Sequence, residues 1–151
     1  MKVFTLLGAL SLVAAAIGWH GAGEPSLECA PSPAEDSDGA KGDRFKVISV
    51  DTVAQLIAGS GPKPFIFDAN SVESYREGHV PSAKWIAFDK VTPEALPADK
   101  KAMLVFYCFN ELCRASHMAG NAAAGLGYTN VHVMTAGIKG WKKANKPVEK
   151  G

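Results

Sequence analysis

Residues 103–107, Met-Leu-Val-Phe-Tyr, are the most apolar stretch of the chain beyond residue 44, and they end at Cys108. Five apolar residues in a row, with no polar alternation, describe a strand buried on both faces. A strand reaches that state inside a parallel sheet whose two faces are both covered by helices. This run therefore takes the central position in the sheet, and whatever chemistry the chain performs is expected where the run ends, because ligands of open parallel sheets bind at the carboxyl ends of the strands.

The segments on either side fit that architecture. Phe45-Lys46-Val47-Ile48 reads as a short strand, and Ser49 or Asp51 then caps a helix with Val53, Leu56 and Ile57 on its apolar side, ended by Gly59. Phe65-Ile66-Phe67 is a second buried-type strand ending at Asp68, and Asn70 with Glu73 three residues on has the form of a capping pair for a short helix through Tyr75 and Arg76. Trp85-Ile86-Ala87 is a third strand, and Thr92-Pro93 opens a helical turn. After Cys108 a helix is predicted over residues 114–124, ended by Gly125 and Gly127, then a strand over 131–134 and a last helix over 137–144. Strands alternating with helices predict an α/β fold, a parallel sheet flanked by helices on both faces.

Lys2 and the apolar run of residues 3–17 have the form of an export signal, too short for a stable membrane span. The expected organisation is an export signal over 1–22, a flexible linker over 23–44 rich in Gly, Pro, Ser and acids, and one domain over 45–149. The expected location is periplasmic or secreted, with a retained anchor as the alternative. Glu28 before Cys29 argues against lipidation at that cysteine. Sixteen basic and fifteen acidic residues leave a formal charge of +1, which offers no basic excess for nucleic acid or an anionic membrane. Three cysteines are an odd number, so an oxidising compartment would leave at least one thiol free or paired elsewhere.

Cys108 is the candidate nucleophile. Backbone N–H groups in a strand-to-helix loop, with a helix N-terminus behind them, form an anion cradle that pushes a thiol toward thiolate. Arg114 at the helix start adds a positive charge facing the same point, and Phe109, Asn110, Glu111 and Leu112 are the loop residues placed to meet a substrate. The plainer alternative is a small buried hydrophobe at a strand end. Asp68 is expected near the same sheet edge, binding substrate or orienting loop backbone. Ser116 offers a cap or a hydroxyl to a bound anion, and His79 is expected to hold its turn.

Three stretches carry a family resemblance. Asp68 with Glu73-Ser74-Tyr75-Arg76-Glu77-Gly78-His79-Val80-Pro81-Ser82-Ala83 resembles the rhodanese signature D-x-R-x-x-x-E-[YF]-x-x-G-H-I-P-G-A. Val105-Phe106-Tyr107-Cys108 resembles the active-site strand of that family. The stretch from Gly125 through Val131, followed by Ala136-Gly137-Ile138-Lys139-Gly140-Trp141, is similar to its closing pattern. The resemblance implies a rhodanese-like sulfurtransferase that carries sulfane sulfur as a Cys108 persulfide. Its partners would be a small sulfur-containing anion as donor and a thiol or cyanide as acceptor, a protein acceptor included, with no cofactor.

The chain departs from that pattern at several points. Asn70 stands where the family usually has Arg, and Ser82 and Ala136 replace frequent glycines, which is tolerated where φ stays negative. The loop from Cys108 to Arg114 is C-x5-R, one residue longer than the common C-x-x-G-x-R, without glycine and with Glu111 in it. A C-x5-R loop resembles related phosphatases and arsenate reductases, although those usually carry His where Tyr107 stands. Cys113 lies in the same loop. It is read as resolving the Cys108 persulfide, as forming a regulatory disulfide, or as packing on the helix. A non-catalytic sulfur carrier or thiol redox module is the alternative function. Cys113 and His117 share a helix face, but the spacing lacks a fourth zinc ligand, so no metal site is expected.

Overall fold

The computed structural model describes residues 42–151. The expected export signal, nearly all of the expected linker, and Cys29 lie outside the described residues. The described part is a five-stranded, all-parallel sheet with strand order β1-β5-β4-β2-β3. The strands are β1 (Lys46–Val47), β2 (Phe65–Asp68), β3 (Lys84–Trp85), β4 (Leu104–Tyr107) and β5 (Val131–Met134). The helices are α1 (Val50–Ala58), α2 (Val72–Glu77), α3 (Ala115–Gly125) and α4 (Gly137–Lys143).

β4 takes the middle of the sheet, and all four of its residues are buried. Alternate side chains of a strand point to opposite faces, so β4 belongs to two cores at once. Leu104, Phe106 and Cys108 join Phe67, Val131 and Val133 on one face, closed by Ala119 and Ala123 of α3. Val105 and Tyr107 join Ile66 and Met134 on the other, closed by Val53 of α1 and by Ile138 and Trp141 of α4. Each buried side chain of this size contributes about 1.5–3 kcal/mol relative to exposure. The small residues of α3 let it lie close to the sheet. A Cβ on Gly120 would meet Val133 at 3.0 Å and Phe45 at 3.1 Å.

Five local expectations change. Ser71, not Asn70, caps α2, its hydroxyl accepting from the Ser74 N–H. The reason is that the Asn70 side chain is drawn away to Asp68. β3 covers Lys84–Trp85 rather than residues 85–87, because β2 ends at Asp68 and the Ile86 N–H to Asp68 carbonyl bond completes the ladder. β1 is a two-residue edge strand. Thr92-Pro93 gives one hydrogen-bonded turn, the Ala95 N–H reaching the Thr92 carbonyl, and no helix. Ser82 sits at φ 63°, in the left-handed region where a Cβ is strained, whereas Ala136 at φ −60° is relaxed.

The register brings Asp68, Tyr107 and Met134 level at the carboxyl end of the sheet. There the chain leaving β4 is pinned to the start of α4. The Ile138 N–H donates to the Cys108 carbonyl at 2.9 Å and the Lys139 N–H to the Phe109 carbonyl at 3.0 Å. Gly137 makes this approach feasible. It has φ +62°, and a Cβ there would lie 2.6 Å from the Cys108 carbonyl oxygen and 2.6 Å from the Phe109 carbonyl carbon. Gly137→Ala is therefore expected to lower stability by about 2 kcal/mol or more, since it combines left-handed strain with a backbone clash. A urea midpoint indistinguishable from that of the unsubstituted protein would contradict this.

Candidate active site

The loop between β4 and α3 opens with Cys108 and closes at Arg114, the N-cap of α3. Within it, the Cys113 N–H donates to the Asn110 carbonyl at 3.1 Å, and the Leu112 N–H donates to the Asn110 side-chain oxygen at 3.1 Å. These two N–H groups are spent inside the loop, so they do not form the cradle expected around Cys108. Backbone oxygen faces that sulfur instead. The Cys108 thiol donates to the Cys113 carbonyl at 3.1 Å, lies 3.9 Å from the Asn110 carbonyl, and sits 3.2 Å from the Ser116 hydroxyl.

Cys108 is 1% exposed. Burial pushes its thiol up, and so does its hydrogen bond with the Cys113 thiol, against the smaller opposing pull of the Ser116 hydroxyl and N–H. Cys113 is half-buried and shifts the other way. Burial works to raise it, but the hydrogen bond from Cys108 and the backbone N–H groups of Phe109 and Ala115 outweigh that and hold the thiol below its ordinary value. Ala115 is the first residue of α3, so a helix N-terminus contributes to this pull.

The other loop residues turn outward. Phe109 is half-exposed and Leu112 is 87% exposed. Asn110, Glu111 and Leu112 line a depression of about 270 Å³ against Ala136, Lys139, Gly140 and Lys143, on the α4 side of the loop. Cys108 does not line it. Arg114 is exposed, and among the described residues its side chain makes no hydrogen bond to the loop. The structure thus brings Cys108, Cys113 and Ser116 together, and sets residues 109–112 and Arg114 around the rim.

Asp68 is fully buried on the opposite face of the sheet from Cys108's core. Its carboxylate accepts from the Tyr107 hydroxyl at 2.6 Å, from the Asn70 N–H at 2.8 Å and from the Asn70 side chain at 2.7 Å. Tyr107 in turn accepts from the Val80 N–H at 3.0 Å. Asn70 thus supplies Asp68 with two donors at the position where the family usually has Arg. This network ties β2 and β4 to the turn after α2, and its charge is felt at Cys113. His79 belongs to the same turn, stacked on Tyr75 at 3.8 Å and bonded to the Tyr75 carbonyl at 2.9 Å.

A second pocket, of about 390 Å³, opens beside the loop and is lined by Asn70, Ser71, Trp85, Phe88, Asp89 and Cys113, among others. Trp85 is fixed there by donating its indole N–H to the Asn70 carbonyl at 2.8 Å. Nothing in the spacing of Phe88 or Asp89 marks them for this role, since they follow β3 in an irregular segment. Trp85 is the last residue of the edge strand β3 and is 43% exposed.

Burial raises Asp68 above the ordinary carboxylate value, against the hydrogen bonds from Tyr107 and Asn70. A raised carboxyl contributes stability that is complete below its unfolded pKa of about 4 and is lost as pH rises through the folded value. The protein should therefore lose thermal stability relative to Asp68→Asn as pH rises from about 4 toward neutrality. A difference in melting temperature between the two that stays constant with pH would contradict the assignment.

The rhodanese-like domain family matches residues 49–144. The fold is similar to that of solved structures at low sequence identity. A protein from Bacillus halodurans superposes with TM-score 0.64 at 23% identity, covering 71% of this chain and 77% of its own. A rhodanese-like domain from Anabaena sp. gives TM-score 0.61 at 18% identity, covering 69% and 78%. A thiosulfate sulfurtransferase from Pseudomonas aeruginosa gives 0.59 at 22% identity, covering 71% of this chain and 20% of that one. With the matched segment spanning well over half of the sequence, and the parallel sheet delivering Cys108 at the end of its central strand, the chain belongs to the rhodanese-like domain family.

Proposed function

We propose that the protein is a sulfurtransferase that holds sulfane sulfur as a persulfide on Cys108, with Cys113 as the second thiol of the reaction. The observation that carries this reading is the pairing itself. Two free thiols, one buried at the end of the central strand and one half-buried, share one loop, with the Cys108 sulfur 3.1 Å from the Cys113 carbonyl. A buried persulfide is shielded from reductants, and a neighbouring thiol is placed to exchange sulfur with it. Membership of a family that includes sulfurtransferase folds supports the reading. Arg114, on the rim of the loop, supplies positive charge near arriving anions, and a thiol or cyanide accepts the sulfur. Export to an oxidising compartment, as the N-terminal sequence suggests, would make the thiol pair its redox-sensitive element.

The C-x5-R loop length resembles that of phosphatases and arsenate reductases, but Tyr107 stands where those usually carry His. The sulfurtransferase reading predicts that incubation with inorganic polysulfide adds one sulfur atom, mapped by mass spectrometry to Cys108, and that cyanide then releases it as thiocyanate. Thiocyanate formation should fall more than about 100-fold in the double variant Cys108→Ser/Cys113→Ser. An unsubstituted protein that gains no sulfur, or a double variant that retains the activity, would overturn the assignment.

A further inference from the structure

We propose that sulfur enters this site at Cys113, from an organic persulfide whose apolar body lies against Trp85 and Phe88, and passes from there to Cys108. This rests on the sulfurtransferase reading above and specifies its donor and its route.

Access comes first. Cys108 is 1% exposed and its thiol is directed at backbone oxygen and at Ser116, so a donor cannot meet it without moving the loop. Cys113 is half-buried and lines the 390 Å³ pocket, a volume typical of small-molecule sites. The Cys113 thiol is also held below its ordinary value while burial pushes Cys108 up, so the reachable sulfur is the one more readily ionised.

The chemistry of the pocket selects the donor. Its walls include the half-exposed rings of Trp85, at 43%, and Phe88, at 39%. Its polar groups are the neutral Asn70 and Ser71 and one carboxylate, Asp89, with no lysine or arginine among its lining residues. Thiosulfate carries two negative charges and would meet the Asp89 carboxylate on walls that hold no cation, Arg114 lying outside the lining. An organic persulfide, R–S–SH with an aromatic or aliphatic R, can bury R against the rings while presenting its outer sulfur to Cys113.

Both steps balance without an added oxidant or reductant. The Cys113 thiolate attacks the outer sulfur of R–S–SH. An S–S bond forms to Cys113, the donor's own S–S bond breaks, and the persulfide proton goes to the departing R–S⁻, leaving Cys113–S–S⁻ and R–SH. Cys108 then attacks the same outer sulfur. Its proton passes to the released Cys113 sulfur, giving Cys108–S–S⁻ and Cys113–SH. The Cys108 sulfur lies 3.1 Å from the Cys113 carbonyl, which keeps the two cysteines together for that exchange.

The test uses the full reduced chain, benzyl persulfide or thiosulfate as donor, alkylation to stop the reaction, and peptide mapping of the added sulfur. Cys108→Ser should accumulate the sulfur on Cys113. Cys113→Ser should load Cys108 from benzyl persulfide at least about tenfold more slowly than the unsubstituted chain. Should Cys113→Ser prove unfolded by circular dichroism, Phe88→Ala decides, with about a tenfold rise in the benzyl persulfide concentration giving half-maximal loading. Loading of Cys108 at an undiminished rate in folded Cys113→Ser, no sulfur on Cys113 in Cys108→Ser, an unchanged half-maximal concentration in Phe88→Ala, or faster loading from thiosulfate than from benzyl persulfide would overturn the proposal and leave the sulfurtransferase reading standing. An unsubstituted chain that takes up no sulfur from any donor would remove both.

Discussion

The N–H groups of Ile138 and Lys139 hold the carbonyls of Cys108 and Phe109 against the first turn of α4, and Gly137 is what lets the two backbones come so close. With its first two residues fixed in this way, the loop must close on itself to reach Arg114, and it does so through Asn110, which takes up the Leu112 and Cys113 N–H groups. The orientation of each sulfur follows. The Cys108 thiol is left facing the Cys113 carbonyl, while Cys113 lines the pocket shared with Trp85 and Phe88. One backbone contact at the end of the sheet thus helps set a buried cysteine and a half-buried one five residues apart in the chain.

The same end of the sheet is braced from the other face. Tyr107 and Asp68 are paired in register on β4 and β2, and the short bond between their side chains spans the two strands just below the loop. Asn70 adds its two donors where the family usually has a cation. A neutral amide carries less electrostatic stabilisation than Arg, and the carboxyl correspondingly remains above its ordinary value. The neutral side chain also leaves the adjoining pocket without a positive charge at this position, so a substitution that looks like a loss for the brace shapes what the pocket admits.

Most of the fold was legible because long-range burial leaves a local trace. The unbroken apolar run of residues 103–107 marked the central strand, and residues 65–68 and 131–134 marked the strands beside it within a residue or none. The short elements were less legible because hydrogen bonds to distant residues decide them. Asn70 is a good capping residue by type, yet its side chain goes to Asp68 and the cap falls to Ser71. At the site, position was readable and orientation was not. Sequence order places Cys108 at a strand end, but which way its sulfur points depends on α4, almost thirty residues later. Likewise Trp85, Phe88 and Cys113 come from separate segments, and only the packed sheet makes them one pocket.

The central claim is that Cys108 is buried against carbonyl oxygen while the half-buried Cys113, beside the pocket, is the thiol held toward its thiolate. Carbon-13 labelling of the cysteine β positions, followed by NMR as a function of pH on the reduced protein, reads the two thiols separately. The account predicts that the Cys113 resonance titrates below the ordinary thiol value and the Cys108 resonance above it. Cys108 titrating below Cys113 would contradict it.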